Sequence, residues 1–228
     1  MRTLAIDTSS KSMSAAILDQ HKILSEISVD AARNHGETAL AAIEAVLSLS
    51  AVSLADIDIF ACSVGPGSFT GLRVGIGTVK GLAYSLQKPV VGISSLDALA
   101  MNVSNEALTI WAMIDARRGE VYAARYMAMP GDIPQREGNE LIITPGDLIE
   151  KVAGEAIFVG DGALVYEEYL KDKLQEQARF AAPADNRIKA GAVGVMGLKK
   201  YEVGASLTAF TLTPQYLRSS YASGVQFV

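Results

Sequence analysis

The stretch SVGPGSFTGLRVGIGTVKGLA, Ser63 to Ala83, decides how the chain is read. It opens as a buried strand, turns through Gly65-Pro66-Gly67, and continues as a helix that contains Gly71, Gly75, Gly77 and Gly81. A glycine in a helix costs roughly 1 kcal/mol against alanine, so the four together need about 4 kcal/mol of compensation. A bound nucleotide at the loop could supply it, and so could another helix lying unusually close. On a helical wheel for Thr70 to Leu86, Leu72, Ile76, Val79, Ala83 and Leu86 gather on one face. Val74, Gly77, Gly81 and Ser85 fall opposite, flanked by Arg73, Lys80 and Tyr84. The expected helix therefore has a core face and, across from it, a smooth seam.

The helix expected from His35 to Leu49 shows the same division. Leu40, Ile43 and Leu47 form its larger apolar face, and Thr38, Ala42, Ala45 and Leu49 form a second, smaller one. A helix that is apolar on two sides is usually buried on two sides. Small residues let backbones approach closely and gain dispersion contacts. Two adjacent helices of this kind predict half of a four-helix interface. Its residues are Thr38, Ala42, Ala45, Leu49, Arg73, Val74, Gly77, Lys80, Gly81 and Ser85.

The plan along the chain is duplicated. TLAID (Thr3 to Asp7) and MSAAIL (Met13 to Leu18) read as a hairpin, and WAMIDARRGEVYAARY (Trp111 to Tyr126) reads as another. Aligned without gaps, Ile6-Asp7 falls on Ile114-Asp115 and Ala15-Ala16 on Ala123-Ala124. Further on, the strand before Gly65-Pro66-Gly67 is matched by AIFV before Gly160-Asp161-Gly162, each leading into a helix, the second expected from Leu164 to Gln175. A strand at Pro89 to Ile93, a helix capped by Ser94 or Ser95 and another opened by Thr144-Pro145 fill the gaps. A strand near Ala178 to Ala182 and a helix from Lys189 to Tyr201 complete them. The fold class is α/β with two duplicated lobes, residues 1–104 and 105–228, divided near Asn102 to Ala107 and ending in a tail from about Thr211.

Composition bounds the function. The chain has 228 residues, half of them hydrophobic, with a net charge of −5. Its mean hydropathy of +0.24 suits buried helices or a large partner surface. No apolar run approaches the ~18 residues of a membrane span, and MRTLAIDTSS lacks the pattern of a signal peptide. The single cysteine, Cys62, excludes an intrachain disulfide and fits the cytoplasm, with the residue as a small core side chain. The acidic balance argues against an autonomous nucleic-acid binder, and the doublets Arg117-Arg118 and Lys199-Lys200 read as solvated surface.

The landmarks AIDTSS, NHGE, GPGSFTGLRVGIGTVKGLA, VVGISSLDALA, MIDARRGEVYAA, GDGA and PQYLR span nearly the whole sequence and resemble the TsaB (YeaZ) family. The resemblance implies ribonuclease-H-like lobes of the actin/Hsp70-like ATPase superfamily and kinship with the enzyme TsaD. It also implies a part in forming N6-threonylcarbamoyladenosine on tRNAs that read codons beginning with A. TsaD would be the obligatory catalytic partner and TsaE would join the pair. A homodimer is expected where TsaD is absent, and tRNA would be met only indirectly.

Catalysis by this chain is not expected. The catalytic relative carries a His-x-x-x-His metal pair, whereas here His35 is followed four residues later by Ala39, and His21 is the only other histidine. Nucleotide binding is left open. Gly65-x-Gly67-x-x-x-Gly71 is neither a Walker A motif nor the dinucleotide fingerprint. Amides at the helix start, capped by Ser68 or Thr70, could still receive an anion. Residues after the hairpin aspartates, Thr8-Ser9 and Ala116-Arg117-Arg118, add bulk where phosphate approaches the backbone in active superfamily members. The loop is thus read as structural, with ATP or ADP at the interlobe cleft or partner interface as the alternative. Two rival functions are a nucleotide-dependent kinase or ATPase and a peptidase acting on TsaD. The peptidase finds no HExxH motif and no identifiable Ser-His-Asp order.

Overall fold

The computed structural model describes residues 1–30, 35–103, 109–128 and 131–218. The first lobe runs β1 (Arg2–Asp7), β2 (Ser12–Asp19), β3 (Lys22–Asp30), α1 (His35–Ser50), β4 (Ile59–Gly65), α2 (Phe69–Leu86), β5 (Val90–Ser94) and α3 (Ser95–Ala100). The second runs β6 (Thr109–Arg117), β7 (Glu120–Met127), β8 (Gln135–Ile143), α4 (Pro145–Ile149), β9 (Ala156–Val159), α5 (Asp161–Val165), α6 (Glu167–Leu174), β10 (Ala178–Phe180) and α7 (Ala190–Glu202). The sheet orders are β3-β2-β1-β4-β5 and β8-β7-β6-β9-β10. Strand for strand these are one topology used twice. In each, the hairpin strands pair antiparallel and the last two strands join the sheet parallel.

Helices fill both faces of each sheet, so the strands are apolar on both sides. Along β1, Leu4 and Ile6 face outward to a core completed by α1 and α2. Ala5, with Ala16, Ala61 and Ile93, faces a central layer made by α3 and α7. On β6 the alternation repeats: Ile110, Ala112 and Ile114 face the centre, while Trp111 and Met113 pack outward with Leu148 of α4 and Leu170 of α6. The central core thus takes side chains from both sheets and joins the lobes.

Helix α7 follows the second lobe's strands in sequence yet packs on the first sheet, against β1, β2 and β4. Gly194 and Gly197 make this close approach possible, since a Cβ would meet Leu18 and Ala61 there. The tail also returns to the first lobe, where Leu207 bridges Val90. Residues assigned to the second lobe by sequence order therefore lie on the first.

Three sequence expectations change. Strand β3 was not anticipated: its KILSEISVD sequence is edge-like and half-exposed, with a weak apolar pattern. The helix expected from Leu164 to Gln175 is two helices broken at Tyr166, with α5 pressed onto β6 through Gly162. On α1 the core face is Ala39, Ala42, Ile43 and Val46; Leu40 is 53% exposed and Leu49 70%. The face expected to be the core, Leu40, Ile43 and Leu47, is thus rotated toward Ala39 and Val46, where small side chains let the helix axis lie close to the sheet, with Leu47 at the core's edge. Ala42, placed on the interface from sequence, is accordingly a core residue, 5% exposed.

Candidate functional site

The loop after β4 is occupied by this chain's own atoms. Ser68 is the N-cap of α2, its Oγ accepting from Gly71 N at 3.2 Å. The Ser68 amide donates to the Ser9 carbonyl at 2.7 Å. A Cβ on Gly67 would fall inside 3.0 Å of that same carbonyl, and one on Gly65 would collide with the carbonyl of Gln215. The first hairpin turn is pressed into the loop from one side and the tail from the other. The Ser68 amide is thus spent on Ser9 and the Gly71 amide on the Ser68 cap.

That packing accounts for two of the four helix glycines. Thr8 Oγ1 donates to Gly71 O at 2.8 Å. A Cβ on Gly71 would overlap the Thr8 carbonyl, and one on Gly75 the Thr8 hydroxyl. Asp7 anchors the turn, its Oδ1 accepting from the Ser9 hydroxyl at 2.6 Å. Behind it lies Cys62, whose thiol is pushed up to about 12 by burial and by the Asp7 charge.

Between the two hairpins opens a cavity of about 530 Å³, lined among others by Lys11, Phe69, Asp115, Arg117, Tyr122 and Asp161. Asp115 pairs with Arg117 Nη1 at 3.0 Å and accepts from the Arg117 amide at 2.8 Å. Asp161 accepts from the Asp115 amide at 3.1 Å, and burial raises its carboxyl above the ordinary range. The acids thus hold the Arg117-Arg118 turn, where both residues have positive φ, 63° and 58°. His21 stands apart from this cavity, 4.0 Å from Glu202. The His35 side chain lies outside the described residues. Among the described residues no group of three or more His, Cys, Asp and Glu is placed to hold a metal.

The other two glycines are open. A Cβ on Gly77 or on Gly81 would meet nothing within 4 Å, and both residues are exposed. The seam between them is bordered on one side by half-buried Val74, packed on the core below α1. On the other side runs the tail. Arg73 Nε donates to Tyr216 Oη at 3.1 Å, and its guanidinium lies 3.8 Å over the Phe69 ring. Lys80 Nζ donates to the Leu212 carbonyl at 3.1 Å. Ser85 is exposed and hydrogen-bonds back to Leu82, while Tyr84 meets Phe210 edge-on at 5.3 Å. Of the residues expected at an interface, Arg73, Val74, Gly77, Lys80, Gly81 and Ser85 thus share one flank of α2. Thr38 and Ala45 are half-buried on α1, Leu49 projects from its end and Ala42 is inside. The residues of LTPQYLR that wall this surface come from some 140 positions beyond α2, a pairing with Arg73 that no local pattern specifies.

Paired sheets of identical topology, enclosing a central helical layer and a cleft between hairpin turns, define the actin/Hsp70-like ATPase fold. The ROK hexokinase of Thermus thermophilus superposes on 90% of this chain and all of its own with a TM-score of 0.53 at 13% identity, a likeness of fold alone. Much nearer are YeaZ from Pseudomonas aeruginosa and TsaB of Escherichia coli K12. The former has a TM-score of 0.79 and 30% identity over 95% of this chain and 99% of that one. The latter, called tRNA threonylcarbamoyladenosine biosynthesis protein TsaB, is 36% identical over 97% of this chain and 96% of its own length. The family model described as TsaD, tRNA N6-adenosine threonylcarbamoyltransferase, matches residues 23–223. The chain belongs to the TsaB family, a branch of this TsaD-like group.

Proposed function

We propose that this chain is a non-catalytic partner of a TsaD-type enzyme in forming N6-threonylcarbamoyladenosine on tRNA. It docks that enzyme through the outer faces of α1 and α2. The observation that carries this reading is the division of the α2 glycines. Gly71 and Gly75 are required by Thr8, while Gly77 and Gly81 face open space among the described residues. A second helix laid along them would supply the missing contacts. Exposed Leu40 and Leu49 on α1 extend the apolar surface, and Arg73 and Lys80 border it.

Catalysis then belongs to the partner. The first-lobe loop of this chain is filled by Ser9 and Gln215, and Ala39 stands where the catalytic relative's second histidine is expected. TsaE joins the assembled pair, and a second copy of this chain takes the same seam when the enzyme is absent. A Cβ at Gly77 or Gly81 meets nothing within 4 Å among the described residues, so Gly77→Leu and Gly81→Leu leave the monomer folded and block the groove. Size-exclusion chromatography with purified TsaD tests this: wild type co-elutes and both variants do not. Co-elution of both variants would remove α2 as the docking helix.

A further inference from the structure

The segment after α7 is fastened to both lobes in turn. Leu207 and Val90 exchange backbone hydrogen bonds of 2.8 and 3.0 Å at the edge of the first sheet. The Leu212 carbonyl receives Lys80, the Gln215 amide donates to Val64 O at 2.7 Å, and Tyr216 receives Arg73 while stacking on Phe69 at 5.0 Å. The chain then crosses to the second lobe. There the Arg218 guanidinium donates to the Ala116 carbonyl at 2.9 Å and to the Glu120 carboxylate, on either side of the Arg117–Gly119 turn that borders the cleft.

Two of these anchors, Arg73 and Lys80, stand on the α2 flank that borders the seam, one turn before and one turn after Gly77. Both cations donate to neutral oxygens, a tyrosine hydroxyl and a backbone carbonyl, Arg73 lying also over the Phe69 ring; neither has an ion pair among the described residues. A carboxylate adds a full opposite charge to such a donor and, for the Arg73 guanidinium, offers the bidentate pairing that a lone hydroxyl oxygen does not. A carboxylate-bearing helix set into the Gly77/Gly81 groove would therefore draw Arg73 and Lys80 off the tail. The opposite end of that tail braces the second hairpin through Arg218, beside the hold that Asp115 has on the turn.

We infer that Leu212 to Arg218 is a strap that couples the seam to the cleft. It is fastened in the free chain and loosened when an acidic partner helix docks, and its release frees the Arg117–Gly119 hairpin. This rests on α2 being the docking helix. Linkage makes the coupling reciprocal, so cutting the strap at its far end favours docking.

The test is hydrogen exchange across residues 116–120, measured by mass spectrometry on the full chain alone and with saturating TsaD, together with the affinity of the pair. In the free chain, Arg218→Ala speeds exchange at this hairpin, and Tyr216→Phe, which removes only the acceptor of Arg73, does so more weakly. Docking of TsaD speeds it in wild type and adds nothing in Arg218→Ala. The same variant binds TsaD about 5-fold or more tightly, the lower range of measured site–site couplings. Unchanged exchange in free Arg218→Ala removes the strap itself. A fastened strap with a wild-type hairpin that does not loosen on docking, or with unchanged affinity in the variant, removes the coupling and leaves the docking reading standing. Failure of wild type to bind TsaD removes that reading and the coupling with it, whatever the free chain shows.

Discussion

Alanine placed at each of the four α2 glycines should separate them into pairs of opposite sign. At Gly77 and Gly81 a methyl group meets nothing within 4 Å. The only effects there are lower backbone entropy in the unfolded chain and better helix propensity, about 0.5–1 kcal/mol each in favour of folding. The double variant gains about 1–2 kcal/mol, which for a chain of this size raises Tm by roughly 2–8 °C. At Gly71 the methyl would lie inside 3.0 Å of the Thr8 carbonyl, so backbone must move. Overpacking of this kind costs about 1–3 kcal/mol, which offsets or exceeds the propensity gain. At Gly75 the Thr8 hydroxyl must turn away, giving up its 2.8 Å hydrogen bond to Gly71 O, a loss of about 1 kcal/mol added to the strain. Urea unfolding followed by circular dichroism reads all four variants on one scale. Midpoints higher for 77 and 81 and lower for 71 and 75 are expected. Four shifts of the same sign would refute the division on which the docking surface rests.

Other consequences follow from the same geometry. Leu49→Asp and Leu40→Asp, on the exposed side of α1, should change the urea midpoint little and weaken association with TsaD at least 10-fold, read by calorimetric titration. The Cys62 thiol, raised to about 12, should resist iodoacetamide at pH 8 in the native chain and react only after unfolding. Burial raises the Asp161 carboxyl in the folded state, so the folded chain holds that proton more tightly than the unfolded one. Its contribution is then full below the ordinary carboxylate value and is lost as pH rises through the folded one. Asp161→Asn should flatten that acid-range fall in the unfolding midpoint, and an unchanged pH profile would contradict the assignment.

The duplicated plan was legible in the sequence because strand, aspartate, turn and strand recur at matching offsets in the two hairpins. The Thr144 cap, and the Ser68 cap as one of two candidates with Thr70, follow from local chemistry, and local chemistry is what a sequence displays. Long-range packing is not displayed. The wheel for α2 set Gly77 and Gly81 apart from the core face, but Gly71 and Gly75 were explicable only once Thr8 was seen against them. Arg73 and Lys80 could be placed on the rim of the seam, not beside a tail more than a hundred residues away. On α1 the small face was read as an interface, yet Ala42 belongs to the core and, with Ala39, brings the helix down onto β2.

The central claim is that bare backbone on α2 serves a catalytic neighbour. Its most direct measurement is reconstituted tRNA threonylcarbamoylation with TsaD, TsaE and the enzyme that supplies the threonylcarbamoyl adenylate. Modified adenosine is counted with wild type, with Gly77→Leu/Gly81→Leu, and without this chain. Full yield with wild type and background yield in the other two is the expected result. Full yield from the double variant, or from the reaction lacking the chain altogether, would contradict it.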